Sequence, residues 1–227
     1  YMQNHFGYSP LRTGIAFLPM IGALVATAPT AGQFLLRRLG TRGVLILGIG
    51  IEAAAFAFLS RIDVDSTYAA AVIPGLLIFG IGIGFVMPVA FNSGTRDIPA
   101  SHIGLASAVI TVSQQIGASL GVALLATYAS RRVNMYVDEH AEQTKAQAMR
   151  ALSQAQATPD SAAGQSIIAR FTAEMADHAQ ISAYSGGFLL MACILIAVGA
   201  LLAGLTAPAA LRRARAALQA RRSRRRD

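Results

Sequence analysis

Residues 69–92 read AAAVIPGLLIFGIGIGFVMPVAFN, twenty-four residues without a charge. Both parities of the run are apolar, so no strand alternation competes with a helix. A helix of that length crosses a hydrocarbon core about 30 Å thick. Four more runs read the same way. Stretches 13–36, 103–129 and 183–207 carry no charge, and 43–60 carries one, Glu52. The predicted fold is an all-α integral membrane bundle of five transmembrane helices.

Composition agrees. The chain has 227 residues, 54% of them apolar and 13% charged, with a mean hydropathy of +0.51. Soluble domains carry about 25% charged residues, so a soluble enzyme is excluded and no catalytic residue is assigned. The net charge of +8 is unevenly placed: residues 212–227 hold eight Arg and one Asp. This basic tail, 211–227, reads as a topology signal that also suits anionic lipid; a nucleic-acid role would need a recognition fold that is absent. Cys193 stands alone in an apolar run and makes no intrachain disulfide. His5, His102, His140 and His178 are scattered without ligand spacing, so no metal site and no cofactor is read. The chain opens at Tyr1 with no Met, basic n-region or cleavage site, and is expected to be a piece of a longer protein.

Three links are short and polar, at 37–42, 61–68 and 93–102; the fourth, 130–182, is long enough to have structure of its own. Its good helix formers predict helices over 137–157 and 165–180, joined at 158–164. Lys and Arg are retained on the cytoplasmic side. Placing the first link inside gathers twelve basic residues and two acids there, against seven basic residues and eight acids outside. Tyr8, Tyr68, Tyr128 and Tyr184 then fall at the outer helix ends, where amphipathic rings favour the interface. The amino terminus and the long loop are expected outside and the tail in the cytoplasm.

Within the spans, Gly117-Ala118-Ser119-Leu120-Gly121 fits a G-x-S-x-G nucleophile pattern. That pattern needs a strand-to-helix elbow with His and Asp partners. In an apolar helix Gly117 and Gly121 read instead as G-x-x-x-G, which lets a second backbone approach. Gly80, Gly82 and Gly84 resemble part of a dinucleotide loop, but no strand precedes them and the third glycine is misplaced; they too read as helix-packing glycines. Glu52 sits mid-span, where a charged group is costly and usually faces a cavity or partner. It is the proton-coupling candidate, with a hydrogen bond to a neighbouring helix as the structural alternative. The fourth span carries a polar stripe of Ser107, Thr111, Gln114, Gln115 and Ser119, of which Ser107, Thr111, Gln114 or Gln115, and Ser119 recur at helical spacing and share one face; they read equally as cavity lining or interhelical glue. Pro19 and Pro29 interrupt the first span and Pro88 the third, as in helices bent around a cavity.

Several segments, in order, resemble the carboxy-terminal half of an EmrB/QacA-type drug:proton antiporter, a fourteen-span branch of the major facilitator superfamily. YMQNHFGYSPLRTGIAFLP resembles that family's YLQ-x-x-x-GYSPL-x-AG-x-x-x-LP segment through Tyr1, Gln3, Gly7, Tyr8, Ser9, Pro10, Leu11, Gly14 and Pro19. GQFLLRRLGTR resembles the cytoplasmic loop G-x-L-x-D-R-x-G-x-R at Leu35, Arg38, Gly40 and Arg42; Gln33 stands in place of the loop glycine, with Gly32 one position early, and Arg37 in place of the acid. PGLLIFGIGIGFVMP, IPASHIGLASAVITVSQQIGASLGVALLAT and QISAYSGGF resemble later segments, with Gln114 where the family often has Arg. The resemblance implies a C-terminal transmembrane half-bundle over 1–210, with spans ten to fourteen of a parent in a bacterial inner membrane. It further implies proton-coupled export of amphiphilic or cationic small molecules, the missing N-terminal half as partner, and a periplasmic adaptor. Two alternatives stand beside it: export of a metabolite or self-made antibiotic, and a non-transporting membrane scaffold.

Overall fold

The computed structural model describes residues 2–3, 6–64 and 66–223, with the side chains at 32, 33 and 206–223 excepted. Tyr1, the Gln33 side chain and the tail arginine side chains therefore lie outside the described residues. No strand occurs among the described residues. Among the described residues, five helical stretches are long and apolar enough to cross a membrane.

The first span begins where local chemistry starts a helix. Gly7 turns the chain at φ +62°, and the Tyr8 N–H donates to Met2 O at 3.2 Å. Ser9 then caps the helix by accepting from Arg12 N, with Pro10 in the first turn, where its missing N–H costs nothing. Helix α1, Pro10–Ala16, stops at Phe17, and α2 runs Leu18–Thr30 with Pro19 in its first turn. Pro19 has no N–H for the Ile15 carbonyl and its ring crowds that carbonyl, which accounts for the break. Pro29 stays inside α2, and a wider i→i+5 turn, Ala31–Leu35, follows it.

Helix α3, Leu36–Leu59, contains a reversal at Gly40, where φ 67° and ψ 171° leave the helical region. Only glycine takes that conformation without strain, so the chain turns back one residue after Leu39. Helix α4, Ile73–Thr95, follows a second wide turn, Tyr68–Val72, and keeps Pro88 within it.

The glycines of α4 decide the packing. A Cβ at Gly80 would fall on the Met20 carbonyl oxygen and 3.0 Å from Ala23 Cβ; one at Gly84 would fall on Thr27 Oγ1 and 3.0 Å from Leu24 O. These two lie four apart, on one helical face, and that face seats α2. Gly82 serves the opposite face: its Cβ would lie 2.6 Å from Glu52 Cγ and 3.0 Å from Gly48 O, both on α3. Lipid supplies no hydrophobic drive between helices, so close backbone approach with its dispersion contacts takes that role. Helix α4 is thus held between α2 and α3, and α3 packs on its other side against the final helix.

The remaining helices depart from the predicted boundaries. Helix α5 is continuous over Ile103–Gln154 and α6 over Ala162–Ser223. The expected separate helices at 137–157 and 165–180 are extensions of the membrane helices. Residues 122–154 contain neither Gly nor Pro, so nothing stops the helix at the membrane edge. At 1.5 Å per residue α5 is about 78 Å long, well over twice the hydrocarbon thickness. Its end closes on itself, with Ala157 N donating to Leu152 O at 3.0 Å. Ser161 Oγ then accepts from Gly164 N at 3.0 Å to start α6. The two helices pair as a hairpin, with Tyr128 and Leu125 against Gly186 and Gly187.

Gly80→Val and Gly84→Val are each expected to destabilise the full-length protein by about 1–3 kcal/mol, the usual cost of overpacking. Gly50→Ala, where a Cβ meets nothing within 4 Å, should leave stability unchanged. Thermal unfolding in detergent reads both.

Candidate functional site

Glu52 is 8% exposed, the one charged residue type in the buried set among the described residues. It occupies α3 one turn beyond Gly48, and its stem lies in the room left by the absent Gly82 side chain. One turn further along α3, Phe56 meets Phe79 of α4 edge-on at 5.1 Å and stacks on Phe188 of α6 at 6.1 Å. The carboxylate therefore belongs to the α3–α4 seam, with an aromatic cluster next to it.

The polar stripe of α5 lies elsewhere. Ser107 is half-buried, whereas Thr111, Gln114, Gln115 and Ser119 are exposed. Thr111 Oγ1 donates to Ser107 O at 2.9 Å, which satisfies the hydroxyl locally. Gln114 reaches across to α4, its Nε2 donating to Met87 Sδ at 3.6 Å. A Cβ at Gly117 or Gly121 would meet nothing within 4 Å, so these two glycines face open space here rather than a neighbouring helix. The reason is topological: among the described elements α5 meets α4 at Ile110 and Gln114 and meets α6 at Leu125 and Tyr128, which leaves the face at Gly117 and Gly121 uncovered. Glu52 and the stripe are not brought together.

At the opposite end of the bundle the loop residues surround the Gly40 turn. Leu35 packs on a buried cluster of Ala31, Val44 and Val89. Arg38 places its guanidinium 4.6 Å above the Phe34 ring. Arg42 is exposed. An apolar anchor beneath a glycine turn with cations around it is what this segment builds.

One contact has no counterpart in the sequence reading, which places Tyr68 only at an outer helix end. Tyr68 donates its hydroxyl to Ala16 O at 2.7 Å, across fifty-two residues. That carbonyl ends α1, so the bond ties the Tyr68–Val72 turn to the first span. No sequence signal marks either the carbonyl or its partner.

Residues 1–122 match the Major Facilitator Superfamily. The chain belongs to that superfamily. It is 34% identical over 143 residues to the puromycin resistance protein of Streptomyces alboniger, covering 62% of this chain and 28% of that one. To the tetracenomycin C resistance and export protein of Streptomyces glaucescens it is 30% identical over 143 residues, 63% and 26% of the two chains. To a triacylglyceride transporter of Mycolicibacterium smegmatis it is 30% identical over 211 residues, 88% and 34%. The chain thus spans roughly a third or less of the curated relatives it matches. It is a multi-pass membrane protein of a transporter superfamily, consistent with five apolar helices.

Tyr68→Phe removes the donor from a part-buried carbonyl and is expected to cost about 1–3 kcal/mol. A thermal midpoint equal to wild type would show that the Ala16 carbonyl finds another donor.

Proposed function

We propose that the chain is a carboxy-terminal portion of a drug-exporting major facilitator transporter, working by alternating access in a bacterial inner membrane. The observation that carries this reading is the identity, at 30–34%, to two antibiotic resistance proteins. Such transporters rock two related halves about a site at the midplane, so the rest of the protein supplies the other wall. In this reading the long hairpin and amino terminus face outward, where a periplasmic adaptor has a rod of helix to grip, and the arginine tail stays cytoplasmic. Amphiphilic or cationic molecules leave in exchange for protons. The open α5 face, with Ser107, Thr111, Gln114 and Gln115, is the cavity wall contributed by this chain. Glu52 is its proton-coupling candidate, as the one acidic or basic residue in the five apolar runs. Its seat on Gly82 ties any change at the carboxyl to the α3–α4 seam.

A second reading is favoured by one observation. A match over 88% of a 227-residue chain has to run through the α5–α6 hairpin. Between those helices lies a cavity of about 300 Å³ walled mostly by apolar side chains, Met149, Leu152, Ile168, Phe171 and Met175 among them, with Lys145, Thr144 and Thr172 also in its lining. Export of an apolar lipid fits such a hairpin.

The experiment is efflux of a cationic dye from vesicles holding the full-length transporter. Collapse of the pH gradient is expected to stop efflux; efflux that continues unchanged refutes proton antiport. Glu52→Gln should lower the rate and flatten its pH profile, whereas an unaltered profile would reduce Glu52 to packing. Triacylglycerol that competes where antibiotics do not would favour the lipid reading.

A further inference from the structure

At the Tyr8–Tyr68 end of the bundle a cavity of about 470 Å³ opens among Thr13, Phe17, Met20, Leu59, Leu76 and Phe188. That size falls within the roughly 300–1,000 Å³ of small-molecule sites. Gln3 and Thr13 are its polar liners, and no charged side chain lines it among the described residues. The break at Phe17 shapes the wall, because Thr13 precedes the break and Met20 follows it. Whatever enters is hydrocarbon, since a polar group inside would lose water without finding partners.

Beside this apolar chamber stands a cation. Tyr8 packs on the cluster of Met2, Leu59, Ile62, Val72 and Leu76 that walls the cavity. Arg12 lies over the Tyr8 ring, its Cζ 4.1 Å from the centroid. The Arg12 side chain is exposed, and the ring leaves its N–H edges open to an anion. Tyr8 and Tyr68, 6.1 Å apart, place this spot at headgroup level. Apolar interior and cationic rim together match an amphiphile with a negative head. A cationic drug meets the wrong sign at Arg12, which separates this chamber from the export path proposed above.

We infer that the cavity holds an acyl chain of an anionic phospholipid whose phosphate rests on Arg12. The surrounding leaflet supplies such chains at high local concentration, and a span broken at Phe17 gives them a lateral way in. Bound there, the lipid bridges α1, α3, α4 and α6. The site makes no demand on transport, so its test reads lipid and not efflux.

The test is native mass spectrometry of the full-length protein, delipidated in mild detergent and titrated with phosphatidylglycerol or phosphatidylcholine. Wild type should bind one phosphatidylglycerol about fivefold more tightly than phosphatidylcholine, the advantage one interfacial Arg confers. Arg12→Gln should abolish that preference, and Leu76→Phe, which narrows the chamber, should lose both lipids. Arg12 is exposed, so its replacement keeps the test sound should Leu76→Phe fail to fold. Equal lipid binding by wild type and Arg12→Gln would overturn the inference. So would a chamber that binds neither lipid, which would mean that another segment of the protein fills it.

Discussion

Everything in this bundle depends on how closely α4 can approach its neighbours. Within lipid the association of helices rests on dispersion and on hydrogen bonds, because the surroundings are as apolar as the side chains. Three glycines two residues apart remove side chains from opposite faces of one helix. Gly80 and Gly84 admit the backbone of α2, and Gly82 admits α3. The same spacing that looks like a nucleotide loop in a soluble protein builds a two-sided seam here, since no strand precedes it and no phosphate site is formed.

The seam also explains where the buried acid sits. Glu52 needs volume and shelter at mid-span, and both come from Gly82 and Gly48. A larger residue at either position would drive Glu52 outward or separate the helices. The acid and the packing are therefore one feature. By contrast α5 contributes little to the core: its membrane portion is exposed, with Leu105, Val112, Leu120 and Leu124 each more than half open. A helix of the transporter superfamily with one polar and one apolar face, both uncovered, has the form of a wall awaiting the rest of the protein and the bilayer.

Much of this was legible in the residues. Five charge-free or nearly charge-free runs announce five membrane helices, because hydropathy over that length has few other physical meanings. The helix start at Ser9 and Pro10 lies three residues before the predicted start at 13, because a cap and a proline begin a helix ahead of the charge-free run, and the reversal at Gly40 falls in a link whose turn the sequence reading does not place. The proline effects were only partly legible. Pro19 breaks its helix, while Pro29 and Pro88 remain inside theirs, since the outcome depends on whether neighbours re-satisfy the freed groups. The hairpin was misdivided: a polarity change near residue 130 was read as a helix end, although no Gly or Pro interrupts 122–154. Polarity marks where lipid stops, not where a helix does. The opposition of Glu52 and Gly82, and of Tyr68 and Ala16, are tertiary facts without a local signature.

A cryo-electron microscopy structure of the full-length transporter in a lipid nanodisc measures the closeness of α4 to its neighbours directly. The separation between the α2 and α4 axes beside Gly80 and Gly84 should fall below the roughly 8–10 Å of helices spaced by side chains, with Glu52 lying over Gly82 on the other face. An ordinary separation with side chains interposed, or Glu52 turned away from α4, would contradict that packing.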